Sequence, residues 1–166
     1  LPVSGRHAIE VMSLAVEWGR PADPEFMAQI QEIYNNTPAL QEFLPKQEAM
    51  QGVTVLVDNN GPSISSGPSG GFQWLQVKSD GAPEWVVHVR PELLSVSCFN
   101  YDRWNTVKPS ALQVLEPIVA LAMKSGYPIQ AVGVQYQDAV RVQSPSPRDC
   151  TRRLLQQGSP WLTSRV

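Results

Sequence analysis

The chain has 166 residues, with 13 basic and 15 acidic side chains and a formal net charge of −2. This near balance gives no basic footprint of the kind that binds nucleic acid, and no run of about 18 apolar residues is present that could span a membrane. A chain of this length is expected to form a single domain, residues 1–166, around its own core.

The termini and cysteines bear on the cellular compartment. No charged segment followed by an apolar one opens the chain, so we expect a cytoplasmic protein, although Leu1 in place of Met leaves a removed signal open. The two cysteines, Cys98 and Cys150, lack zinc-ligand spacing. We expect two reduced thiols, one of them buried, because a disulfide between them would require export.

The first third of the chain predicts a strand and then a helix. Residues 7–18 alternate like a strand. Its inner face would carry Met12, Leu14, Val16 and Trp18. Asp23 is a candidate helix N-cap with Pro24 at the first helical position, and apolar residues then recur at helical spacing. Residues 39–50 are expected to be irregular or to form a short helical extension.

The middle of the chain predicts strands on both sides of a long loop. Residues 52–58 predict a second strand, whereas 59–71 are rich in Gly, Ser and Pro and predict a mobile loop. Three strands follow with short connections, at 72–78, 84–90 and 93–99. Such connections make neighbours antiparallel, so this part is a meander.

The last third predicts a second main helix. Residues 100–108 are expected to be a loop, 109–125 a helix and 129–142 a strand. A short helix to about residue 157 and a loose tail from about 158 should end the chain. The order β-α-β-βββ-α-β-α indicates an α+β fold, in which two main helices cover one face of a largely antiparallel sheet of about six strands.

Residues that could do chemistry do not fall at the spacings that catalysis or metal binding uses. His88 beside Arg90 is either a half-buried structural histidine or a base without a recognisable nucleophile. Glu10, a charge in an apolar strand, either points to solvent at a sheet edge, or pairs with an inward arginine or lines a cleft. We expect no cofactor and no metal, and the pattern leans away from an enzyme.

Aromatic residues are the better candidates for binding. The chain has five tryptophans, and Trp74 and Trp85 lie on adjacent predicted strands, where they form either core or an exposed docking face. Tyr101 and Trp104, in a predicted loop, are better placed for exposure. The candidate binding residues are Trp74, Trp85, His88, Arg90, Tyr101, Trp104 and Tyr136.

The stretch from Phe72 to Val142 resembles a sporadically distributed family of uncharacterised prokaryotic α+β proteins, with Trp74 on a strand, Asp80-Gly81 at a turn and the AVGVQYQD segment at 131–138. Glu10 matches a Glu in that family's first strand, and Gly133 and Tyr136 match its late strand. Ala131 and Gln135 replace the family's two arginines there, and Asp138 replaces its Asn. The family continues with a C-terminal portion beyond this length, and the resemblance implies no activity.

These observations favour a non-enzymatic protein-interaction module, of an accessory, immunity-type or regulatory kind. We expect a protein partner or self-association, with a homodimer favoured, and neither nucleic acid nor membrane as partner. The alternative is an enzyme or small-ligand binder with a site between sheet and helices.

Overall fold

The computed structural model describes residues 9–50, 52–58, 61–67 and 70–138, which form eight strands and three helices. In chain order the elements are β1 (Ile9–Trp18), α1 (Pro24–Asn35), α2 (Pro38–Phe43), β2 (Lys46–Ala49), β3 (Gly52–Asp58), β4 (Gly61–Gly67), β5 (Phe72–Val77), β6 (Pro83–Val89), β7 (Leu93–Cys98), α3 (Trp104–Lys124) and β8 (Ile129–Asp138). Six strands form an antiparallel sheet in the order β2-β5-β6-β7-β1-β8, and β3 pairs with β4 separately. The predicted α+β class is confirmed.

The core lies between one face of the six-stranded sheet and helices α1 and α3. Alternate residues of β1 stand opposite buried residues of β7, as Leu14 does opposite Val96. The helices pack onto this face: the ring of Phe26 in α1 meets Trp18 edge-on at 6.0 Å, and Ile118 of α3 is fully buried in the same cluster. The apolar faces that alternation predicts in the strands and helical spacing predicts in the helices therefore pack into one core.

Local hydrogen bonds define the start of α1. The Asp23 carboxylate accepts a hydrogen bond from the backbone N–H of Phe26 at 2.8 Å, which confirms the predicted N-cap. The Tyr127 hydroxyl, from the segment after α3, donates to the same carboxylate. The bond from Tyr127, followed by that from Phe26, holds the pKa of Asp23 below its usual range.

Two strands differ from the prediction between residues 39 and 71. Lys46–Ala49 forms β2 at one end of the sheet, where the sequence predicts an irregular or helical stretch. All four of its residues are exposed, so no alternation marks it. Gly61–Gly67 forms β4, paired with β3 along its whole length, which corrects the predicted loop over that part of 59–71. Backbone pairing with a neighbour determines such a strand more than its own β-propensity does.

Helix α3 begins at Trp104, five residues before the predicted start at 109. Trp104 is therefore a helical residue, and Pro109 lies inside the helix instead of at its first position. Val107 is buried one turn before Ala111. Burial of this extra turn against the core offsets the backbone hydrogen bond that Pro109 cannot donate. The predicted strand at 129–142 is described to Asp138, and the predicted C-terminal helix, the tail and Cys150 lie outside the described residues.

Candidate functional site

Three large apolar side chains are exposed on one strand, and we call this set the β8 strip: Val132, Val134 and Tyr136. Their side chains are 63%, 49% and 45% exposed. They alternate along β8 and stand opposite Val16, Leu14 and Met12 of β1. The strip therefore lies on the same sheet face as the core, with a pattern that resembles that of a buried strand.

The strip is exposed because the helices pack over other strands. The aromatic residues of α1 contact Trp18 and Trp74, on β1 and β5, and α3 packs against β7. Strand β8 is the outermost strand beyond β1. Met123 of α3 is a further exposed apolar side chain, at 69%. The strip therefore lies beyond the part of the sheet that the helices cover.

Tyr101 and Tyr136 meet at one end of the β8 strip. Their rings form a T-shaped pair with centroids 5.5 Å apart. The backbone N–H of Tyr101 donates to the carbonyl oxygen of Glu10 at 3.5 Å, which anchors the segment before α3 against β1. Burial, and then the hydrogen bond with Tyr136, raise the pKa of the Tyr101 hydroxyl. Of the candidate binding residues, these two are therefore brought together.

Glu10 occupies an irregular position in β1. The register with β8 shifts between Ile9 and Val11, so Glu10 is the extra residue of a β-bulge. Strand β1 is not an edge strand, since it lies between β7 and β8, and its pairing with β7 begins at Met12, two residues after Glu10. The bulge lies beside the Tyr101–Tyr136 pair, at the end of the strip.

Trp74 and Trp85 lie in the core and not on a docking face. Trp74 is fully buried and stacks on Tyr34 of α1, with ring centroids 4.7 Å apart and planes 14° from parallel. Trp85 is also buried and meets the Phe43 ring at 5.2 Å. Burial removes both indoles from direct contact with a partner. Trp104 is half-buried and packs against the edge of the core.

His88 and Arg90 lie away from the strip. Val87 and Val89 point into the core, so His88 between them faces the other side of the sheet. It stands between Gln73 and Ser95 on the neighbouring strands. Burial, and then the charge of Arg90, lower the pKa of His88. The sheet itself separates this histidine from Tyr136, so the two do not share a pocket.

The space between sheet and helices is filled by apolar side chains, among them Met12, Ile30 and Val114, which are fully buried. Cys98 belongs to this core as a free thiol, and burial raises its pKa. Within residues 9–50, 52–58, 61–67 and 70–138, no three His, Cys, Asp or Glu side chains are grouped so that they could hold a metal ion. None of the described helices is long and apolar enough to cross a membrane.

Comparison with known proteins adds no family to these observations. No protein-family model matches the chain, and no curated protein matches its sequence.

The sequence predicts part of the β8 strip. Alternation at 132, 134 and 136 identifies one face of a strand, and Tyr136 stands among the sequence-derived candidates. Val132 and Val134 are missed as binding residues, because the same alternation is typical of a core strand. Their exposure follows from the position of β8 at the end of the sheet.

Proposed function

We propose that this protein is a non-enzymatic protein-interaction module whose binding surface is the β8 strip together with Tyr101. One observation carries the proposal: three large apolar side chains lie exposed, at alternate positions of β8, on the sheet face against which the helices pack. Exposed contiguous apolar surface of this kind marks interaction sites in monomeric domains. An accessory, immunity-type or regulatory role is consistent with such a module.

The chemistry of the strip favours a protein partner. Valine and tyrosine side chains offer apolar area and one hydroxyl, and the Tyr101–Tyr136 pair adds aromatic edges that are common at interface hot spots. The charged residue within β8 is Asp138, at the end of the strand. A surface of this composition gives little attraction to phosphate groups, so a nucleic-acid partner is disfavoured.

The alternative of a ligand site between sheet and helices has less support. The side chains between these layers are apolar and packed against one another, and His88 faces the other side of the sheet. The proposed resemblance to the prokaryotic α+β family implies no activity that would favour an enzyme.

Calorimetric titration with purified products of the neighbouring genes tests the proposal. We compare the wild-type chain with a Val132→Ser/Val134→Ser variant. Each valine is about half exposed, so its contribution to binding is about half that of a fully buried side chain. The pair should therefore weaken binding at least about tenfold.

The matched control is Gln113→Ser/Ala120→Ser, two exposed positions on α3. It should bind as the wild type does. Binding that is equally strong in the strip variant would show that the surface lies elsewhere. If no neighbour binds and the chain does not self-associate, the interaction module itself is refuted.

A further inference from the structure

Strand β8 is a long end strand with little protection. It has ten residues, about 34 Å at the usual rise, and in the described part of the chain it pairs with β1 alone. Edge strands are usually blunted by Lys, Pro or bulges. β8 contains neither Lys nor Pro, and its register irregularity lies at Gln130, so the backbone from Ala131 to Gln137 pairs regularly with β1.

The strip has an internal symmetry. Val132 and Tyr136 lie two positions on either side of Val134. If two β8 strands pair antiparallel about a two-fold axis at Val134, each Val134 stands opposite the other, and each Val132 stands opposite Tyr136 of the second copy. Aromatic and β-branched side chains form favourable cross-strand pairs, so every member of the strip gains an apolar neighbour.

The other face of the same pairing is also complementary. Gln135 would stand opposite Gly133, and Gln137 opposite Ala131, so each long side chain meets a small one. Asp138 would stand opposite Gln130, so no like charges meet.

Other axis positions fit less well. Moving the axis to Gly133 places Tyr136 opposite Gln130. Moving it to Gln135 places Val132 opposite Asp138. Of these three positions, the axis at Val134 is the one that matches all three apolar residues.

We infer that a second copy of this chain docks on the β8 strip by antiparallel β8–β8 pairing centred on Val134. The inference rests on the proposed function and names the partner of the same surface. A two-fold axis perpendicular to the sheet joins the two six-stranded sheets into one and keeps the helices of both copies on the same face. New backbone hydrogen bonds along the paired edges and burial of the two strips stabilise the dimer.

Sedimentation of the full chain from about 1 to about 300 μM tests the dimer. The wild type should self-associate. Val134→Lys places two ammonium groups against each other at the axis and should weaken the dimer at least about 30-fold. Gln113→Lys adds the same charge at an exposed position of α3 and should leave the dimer unchanged. Circular dichroism shows whether each variant is folded.

Cysteine cross-linking tests the register, in a Cys150→Ser background in which Cys98 stays buried. Val134→Cys should oxidise to a covalent dimer, because opposite Cα atoms in antiparallel strands lie about 4.5–5.5 Å apart, within disulfide range. Val132→Cys is the matched control. Its two copies would lie four positions apart, about 14 Å, and should not cross-link.

Three results would overturn the inference: a wild-type monomer at about 300 μM, a dimer that Val134→Lys leaves intact, or equal cross-linking of Val132→Cys and Val134→Cys. A wild-type monomer is the result expected if residues 139–166 of the same chain, or a different protein, occupy the strip. A monomer that still binds a neighbouring gene product through Val132 and Val134 would refute the dimer and support the proposed function.

Discussion

Replacing Trp74 with alanine should destabilise the fold strongly without touching the binding surface. The indole is fully buried, stacks on Tyr34 at 4.7 Å and lies 5.5 Å from the Phe72 ring. Truncation of a buried tryptophan costs about 3–5 kcal/mol, and a stacked aromatic pair accounts for about 1 kcal/mol of that cost. We therefore expect Trp74→Ala to lower the free energy of unfolding by about 4 kcal/mol.

Trp74→Phe keeps an aromatic ring at this position but removes the indole N–H. The indole Nε1 of Trp74 is buried and has no hydrogen-bond partner. Phenylalanine keeps a ring against Tyr34 and removes this unsatisfied donor. The removal offsets part of the stability that is lost with the smaller side chain. We expect a cost below about 1.5 kcal/mol for this variant.

Urea unfolding followed by far-UV circular dichroism measures both variants, with an unchanged m-value as the check that the unfolded state is comparable. A cost below about 1.5 kcal/mol for Trp74→Ala would refute the packing argument. So would a loss of partner binding or self-association by the folded Trp74→Phe protein, because that would place the indole at the interface.

Further variants test the pH dependence of stability and a strained backbone position. His88 has a lowered pKa through burial and the charge of Arg90, so the folded state binds a proton less readily than the unfolded one. Its contribution to stability is complete above the unfolded pKa of about 6.5 and is lost as pH falls through the folded pKa. His88→Gln should flatten stability between about pH 7 and 5, and an unchanged slope would count against the burial of His88. Gly71 has φ +93° and a Cβ there would collide with the carbonyl oxygen of Val89, whereas Gly81, at φ +83°, faces open space. Gly71→Ala should therefore cost clearly more than the about 1 kcal/mol expected for Gly81→Ala in urea unfolding, and equal costs would contradict the close approach.

Local patterns predict those elements whose signals are local. The strand at 7–18 and the meander follow from alternation and short turns, and α1 follows from the Asp23 cap, which the structure confirms. β2 and β4 escape prediction because their own residues carry no such alternation. β2 forms by pairing with β5, which begins much later in the chain at Phe72, whereas β4 pairs with β3, which ends just before it at Asp58.

The candidate site, like the fold, is predicted only in part from the sequence. Sequence alone identifies Trp74, Trp85 and Tyr136 as aromatic residues on strands, and alternation assigns each to one face. It does not determine which faces the helices cover. Trp74 and Trp85 are buried because α1 and α2 supply Tyr34 and Phe43 above them, whereas Tyr136 lies on the last strand, beyond the helices.

The sequence by itself predicted a strand at 129–142 with Val132, Val134 and Tyr136 on one side, in a pattern that a buried strand also has. Only the tertiary structure decided that this side is exposed. The reason is physical: β8 pairs beyond β1 at the end of the sheet, where the described helices leave Val132, Val134 and Tyr136 about half exposed. An apolar face that would be ordinary core in a central strand thereby becomes the candidate binding surface.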